Sequence, residues 1–310
     1  MTRLSRRRFL QSAAVSLGAL AQSRPPAVQA AGRPPSDRLR VAMVGVHNQG
    51  RHDLDHIAGE GGADIAVLCD VDEKLLDAAH KDYPKAELAT DFRRVLDRKD
   101  IDAVAIATPD HTHAIATLLA LQAGKHVFCE KPLTNTIAEA RKVAEAAKKS
   151  GRVTQMGTQI HAGENYRRVV ELLRAGAVGP VREVYLWVGS RWSADEKPHP
   201  GETPPAGLHW DEWLGPAADR PYSAAYLPRT WRGWWDFGGG TLADMGCHYY
   251  DLAQWGLGLT APAKVTAEGP PVDPQTAPPW LTVRYEYPAT AARPGLTVVW
   301  NSSRKPKEYA

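Results

Sequence analysis

Cysteine is scarce in this chain. Cys69, Cys129 and Cys247 are the only three among 310 residues, too few for a disulfide framework. Two stand at the ends of expected strands and the third on an expected helix, places that suit small buried thiols. An excess of one charge is also missing. The 38 Lys and Arg against 35 Asp and Glu leave a net +3, and Arg3, Arg6, Arg7 and Arg8 hold much of that surplus. A nucleic-acid-binding domain needs a basic face, so this balance argues against a nucleic-acid partner. Apolar runs are short as well. A membrane helix takes about 20 apolar residues, and no stretch approaches that, so no stable membrane span is expected. The sequence contains no internal repeat.

What the chain does have is core material, with 43% hydrophobic residues. Its length suits two domains behind a leader. Ser5-Arg6-Arg7-Arg8-Phe9-Leu10 fits a twin-arginine export signal. A mildly apolar stretch from Ala13 to Ala21 follows, and Ala27, Ala30 and Ala31 offer a cleavage site. Residues 1–35 therefore read as signal peptide and linker, and the protein as exported to the periplasm. A basic N-terminal tail is the alternative.

From residue 36 to 157, apolar strands alternate with amphipathic helices. Strands are expected at 39–45, 64–69, 87–89, 103–107, 126–129 and 152–156. Helices fit at 50–58, 73–81, 92–98, 113–123 and 137–149. That alternation predicts an α/β, Rossmann-type doubly wound parallel sheet. Residues 158–310 change style. A helix at 165–175 and a strand at 181–189 precede a Pro/Trp/Gly-rich stretch that runs to Phe237. A long helix over 241–257 and strands at 264–267, 281–287 and 296–300 complete the pattern. This predicts an α+β domain with a mainly antiparallel open sheet. No final helix follows the last strand, so the expectation is a shortened C-terminus.

Gly45-Val46-His47-Asn48-Gln49-Gly50 lies between the first strand and its helix. Gly45 and Gly50 match the ends of the dinucleotide fingerprint G-x-G-x-x-G, with His47 in the middle glycine's place. Asn48 and Gln49 complete the candidate cofactor loop. Asp70 closes the second strand, where an acid bonds the adenosine ribose and repels a 2′-phosphate. NAD is therefore favoured over NADP, with a simple helix cap as the other role for Asp70. Thr108-Pro109-Asp110-His111-Thr112-His113 follows the fourth strand. There His111 reads as exposed and His113 as a cofactor neighbour.

Two further segments carry chemistry. Gly124-Lys125-His126-Val127-Phe128-Cys129-Glu130-Lys131-Pro132 ends a strand in an acid and a lysine at the ligand edge, where partial desolvation tunes acid–base groups. Trp231-Arg232-Gly233-Trp234-Trp235-Asp236-Phe237-Gly238-Gly239-Gly240 then leads into a helix carrying Asp244, His248 and Asp251 at i, i+4 and i+7. That stripe suits a substrate-facing wall on which Asp244 orients His248. A solvated helix face is the other reading, and no metal is expected. Trp234 and Trp235 can stack on a sugar ring or pack in a core.

In combination these segments resemble the Gfo/Idh/MocA family of NAD(P)-dependent oxidoreductases, in its exported bacterial branch. The likeness runs from Leu39 to about Trp300. It implies that Lys131 contacts the substrate hydroxyl and the nicotinamide ribose, and that Asp244 and His248 line the substrate pocket, with His248 as acid–base. It further implies that Gly45, Gly50 and Asp70 hold the dinucleotide, and that Thr108, Pro109, His113 and Glu130 lie on the nicotinamide side. Pairing through the second domain's open sheet implies a homo-oligomer. His47 and the short C-terminus depart from the family pattern.

The expected activity is hydride transfer between a carbohydrate or polyol hydroxyl and a tightly held nicotinamide, since the periplasm offers no evident free NAD pool. Two alternatives stand beside it. One is an NAD-assisted glycoside hydrolase or lyase working through a transient keto-sugar. The other is a non-catalytic sugar-binding or scaffold protein on a relic dehydrogenase fold.

Overall fold

A computed structural model describes residues 38–194, 197–199 and 201–303. The leader and the chain end beyond 303, on which the export signal and the shortened C-terminus were read, lie outside the described residues.

The first unit alternates strand and helix. Its elements are β1 (Leu39–Val44), α1 (Gln49–Gly59), β2 (Ala63–Cys69), α2 (Glu73–His80), β3 (Glu87–Ala89), α3 (Phe92–Leu96), β4 (Ala103–Ile106), α4 (Asp110–Gln122), β5 (His126–Glu130), α5 (Ile137–Ser150) and β6 (Thr154–Gly157). The six strands are all parallel, in the order β3-β2-β1-β4-β5-β6. Successive strand residues face opposite sides. Val41 and Met43 therefore join one core with Leu54, Leu68 and Leu76, while Ala42 and Val44 join another with Val104, Ile106 and Ala120. Burial on both faces explains why these strands read as continuous apolar runs. Local caps fix the helix starts. Asp72 accepts from Lys74 N, Asp91 accepts from Arg93 N, and Thr136 with Glu139 forms a full capping box.

The second unit contains α6 (Glu164–Arg174), β7 (Glu183–Val188), α7 (Trp210–Leu214), α8 (Gly240–Leu257), β8 (Lys264–Glu268), β9 (Leu281–Tyr287) and β10 (Leu296–Ser302). Its sheet order is β7-β10-β9-β8. Two of the three pairings are antiparallel and β7 runs parallel to β10, so the sheet is mixed. Val298 and Trp300 are fully buried on β10, and Leu242, Met245, Tyr249 and Tyr250 of α8 pack on the clusters around them. The Pro/Trp/Gly-rich stretch is an aromatic core of its own. Trp210 stacks on Trp213 with centroids 4.8 Å apart, and Tyr226, Trp231, Trp234 and Phe237 fill the cluster. α7 inside it was not expected, because so short a helix shows no hydrophobic period. Among the described residues no helix is long and apolar enough to cross a membrane.

Candidate active site

The strand order turns from β1 outward in both directions, and α/β proteins bind ligands at that turning point, beyond the strands' carboxyl ends. Gly45 adopts φ 87°, and a Cβ there would sit 2.5 Å from the Ala107 carbonyl oxygen. A Cβ on Gly50 would run into the Gly45 carbonyl. These two glycines let β1, its loop and α1 approach closely. His47 is exposed, and the positive φ falls on Asn48, at 49°. The imidazole therefore projects away from the core. Asp70 Oδ2 accepts from Val46 N at 2.9 Å and Oδ1 from Asp72 N at 3.1 Å. Burial pushes this carboxyl up against the pull of those two donors. A glycine-closed turn at a helix start, with an acid against it, fits a dinucleotide. Gln49 takes another job. Its amide donates to Asp53 Oδ1 at 2.9 Å and reaches Glu130 Oε1 at 3.5 Å.

The ends of β4 and β5 are tied from below. His113, expected beside the cofactor, is only 1% exposed. Its Nδ1 lies 2.7 Å from Pro132 O and its Nε2 2.8 Å from Thr108 O. It therefore supports the two loops from inside the fold. Thr112 Oγ1 donates to Thr108 Oγ1 at 2.6 Å, and Pro109 holds the N-cap position of α4. His111 is buried, not exposed, with Nε2 2.9 Å from Trp213 O, and burial depresses it to about 4. Two buried acids flank this edge. Burial raises Asp110 to about 7, and burial with the nearby Asp53 charge raises Glu130 to about 7. Glu130 Oε2 accepts from Lys131 N at 3.1 Å.

Lys131 leaves the end of β5 and meets α8. Its Nζ donates to Asp244 Oδ1 at 2.7 Å and to Asp244 O at 3.2 Å, which leaves one ammonium N–H over. Both side chains are largely buried. Arg232 Nε adds a contact to Asp244 Oδ1 at 3.4 Å, with its guanidinium over the Trp231 ring at 4.2 Å. Burial opposes ionisation of Asp244, yet the Lys131 and Arg232 charges hold its carboxyl below the ordinary range. His248 lies one turn further along α8 and is 5% exposed. Burial and then the Lys131 charge push its imidazole down, and its Nδ1 has no hydrogen-bond partner.

Two expectations change here. Asp244 does not orient His248, because its carboxylate is spent on Lys131 and Arg232. Trp234 is not a substrate platform. It is 2% exposed and packs edge-on to Tyr226 in the aromatic core. Trp235 is 39% exposed, and its indole N–H donates to Asp273 O at 3.1 Å. Arg232 was not singled out, although the arginine beside Trp231 was its signal. Asp251 bonds His161, a residue the sequence offered no reason to notice. Among the described residues no group of three or more His, Cys, Asp or Glu could hold a metal. A cavity of about 760 Å³ opens elsewhere, lined by Glu73, Leu88, Asp91, Arg98 and His209, and contains none of the candidate residues.

Family models match both units. One, described as the oxidoreductase family's NAD-binding Rossmann fold, covers residues 39–158. The other, that family's C-terminal alpha/beta domain, covers 182–305. The chain belongs to the Gfo/Idh/MocA oxidoreductase family. A glycosyl hydrolase family 109 protein of Shewanella pealeana is 28% identical over 57% of this chain and 44% of its own length. An inositol 2-dehydrogenase of Salmonella typhimurium is 31% identical over 46% of this chain and 43% of its own length. This chain thus matches less than half the length of these curated relatives. Among solved structures, the WlbA dehydrogenase of Bordetella pertussis, in complex with NADH and UDP-GlcNAcA, superposes with a TM-score of 0.66 at 21% identity. It covers 87% of this chain and 74% of that one. Aldose-aldose oxidoreductase from Caulobacter crescentus gives 0.60 at 24% identity, over 86% and 70% of the two chains. Both share the fold.

Proposed function

We propose that this protein is an NAD-dependent oxidoreductase that moves a hydride between a carbohydrate or polyol carbon and a nicotinamide held at the glycine loop. The observation that carries this reading is the Lys131–Asp244 pair, 2.7 Å across the junction of the two units. It sets an ammonium N–H at the ligand edge of the parallel sheet. The cofactor supplies the hydride acceptor, and Gly45, Gly50 and Asp70 are the residues that hold it, with Glu130 and the loops braced by His113 on the nicotinamide side. Lys131 donates to the substrate oxygen and fixes the reacting carbon. His248, whose imidazole is pushed down by burial, takes the hydroxyl proton. Asp244 anchors Lys131, and positioning supplies much of the acceleration. Exposed Trp235 offers a flat face to a sugar. The family and the names of its relatives support a polyol or sugar substrate.

The leader supports an exported protein, folded with its cofactor before translocation. A redox-neutral cycle, in which the hydride returns to the same or a second sugar, suits a compartment with no NAD to exchange. The open sheet supports a homo-oligomer. Native mass spectrometry of the purified protein tests the cofactor and the subunit number together. NAD or NADH is expected to travel with the protein, and single turnover with sugars and polyols is expected to raise the reduced-nicotinamide absorbance. Cofactor-free protein that binds no added NAD would overturn the reading.

A further inference from the structure

Arg232 belongs to a ladder of alternating guanidinium and indole. Its guanidinium carbon lies 4.2 Å from the Trp231 ring centre and 5.3 Å from that of Trp192, and Arg229 approaches the same Trp192 ring to 5.4 Å. All three contacts fall in the range of cation–π attraction. Both indoles are anchored. Trp231 is 5% exposed, and Trp192 N donates to Thr241 Oγ1 at 2.8 Å in the first turn of α8. The flat fork of Arg232 is therefore held in one orientation.

Its hydrogen-bonding capacity is largely unspent. Nε makes the 3.4 Å contact with Asp244 Oδ1, and neither Nη donates to any described group. Both Nη atoms reach solvent, with 23% of the side chain open. Lys131 uses the same Asp244 oxygen, so its spare N–H and the spare end of the guanidinium are both within reach of one sugar unit. Charge is out of balance at this point, because two cations share one carboxylate. Asp110 lies in the field of all three groups, yet burial raises it to about 7, so it offsets the surplus only in part. Arg229 adds a further cation. It is exposed and, among the described residues, has no acid within ion-pair distance.

We propose that the substrate is an acidic sugar, a hexuronate or its glycoside, whose carboxylate is taken by the Nη pair of Arg232 while Lys131 holds the reacting hydroxyl. The proposal rests on the hydride-transfer reading for the reaction and on the unspent fork for the acid. A guanidinium meets a carboxylate with two parallel charge-assisted hydrogen bonds, a match that a neutral hydroxymethyl group lacks. The carboxylate fixes how the ring lies, and with it which carbon faces the nicotinamide. Arg232 is thus the specificity-determining residue. Arg229, further out on the ladder, supplies attraction that salt screens. No bond of the carboxylate is made or broken.

The test uses matched pairs of hexuronate and hexose in the gluco, galacto and manno configurations. Each is titrated by calorimetry into protein saturated with NAD, and reduced-nicotinamide absorbance is then followed. In at least one pair the uronate is expected to bind about 10-fold or more tightly than its hexose, on the scale of one charge-assisted contact. Arg232→Lys keeps a charge beside Asp244 and loses the fork, and should bring the pair to within about 2-fold. Arg229→Gln lies on the surface and should fold as wild type. It should narrow the margin by about 3-fold and flatten its salt dependence. No uronate advantage in any wild-type pair, or an advantage that both variants keep in full, would overturn the proposal. A uronate advantage without hydride transfer from any of the sugars would instead sink the hydride-transfer reading and leave the carboxylate site standing.

Discussion

Lys131 and Asp244 meet at 2.7 Å although they stand 113 residues apart, one at the end of a parallel strand and the other in the first turns of a helix from the second unit. Each partner is nearly buried, so the pair joins the two units and fixes the Lys131 ammonium in place. Lys131→Met should lower the rate of hydride transfer by about 100- to 10,000-fold, while bound NAD is retained. It also leaves Asp244 buried with only Arg232 beside it. Loss of one partner of a buried pair costs about 3–5 kcal/mol, and the remaining arginine should reduce that cost. Rapid-mixing kinetics and thermal melts check the two halves separately. An unchanged rate would remove Lys131 from the chemistry.

The proposed base is His248, and an imidazole accepts a proton only when neutral. Burial and the Lys131 charge depress its imidazole from an ordinary value of 6.5. Activity should therefore persist below pH 6.5 and fall only as acidity passes the depressed value. A pH profile of single-turnover oxidation measures this acid limb. In Lys131→Met the residual activity should lose its acid limb at a higher pH, because the repelling charge has gone.

Glu130 gives a stability signature. Burial raises its folded-state value from 4.5 to about 7, so the folded chain holds a proton that the unfolded chain releases. The group's favourable contribution is complete below pH 4.5 and is lost as pH rises towards 7. Glu130→Gln removes this titration. Between those pH values the variant should gain on wild type by on the order of 2 kcal/mol. Denaturant melts at the two ends of the range read the difference, and a pH-independent gap would contradict the protonated acid.

Asp70 stands against the glycine loop through Val46 N. A carboxylate there repels a 2′-phosphate, so wild-type protein should bind NAD more tightly than NADP. Asp70→Ser should narrow that preference by about 10-fold or more, on the scale of one lost charge–charge interaction. Equilibrium titration with both dinucleotides settles the ratio.

Export is testable in cells. Full-length protein should reach the periplasm in a host with a twin-arginine translocase and stay inside when Arg6 and Arg7 are both changed to Lys. Delivery of the double variant to the periplasm would exclude that route. Cofactor found in the exported fraction would support loading before transport.

The sequence alone determined the parallel α/β unit, because strands buried on both faces must be apolar throughout and the helices between them must carry one apolar side. Gly45 and Gly50 were legible because only glycine tolerates the approach of loop, strand and helix there. Lys131, Asp244 and His248 were legible as a group through resemblance, and as separate residues through their places at a strand end and on one helix face. What only the tertiary structure decided was who pairs with whom. Trp234 and Trp235 are adjacent in sequence, yet one fills a core and the other reaches solvent. Asp244 turned to Lys131 and left His248 Nδ1 without a partner, and Asp251 found His161 from 90 residues away. Spacing along one helix fixes which side chains share a face. Which charge lies opposite that face depends on how distant segments pack, and no local pattern records it.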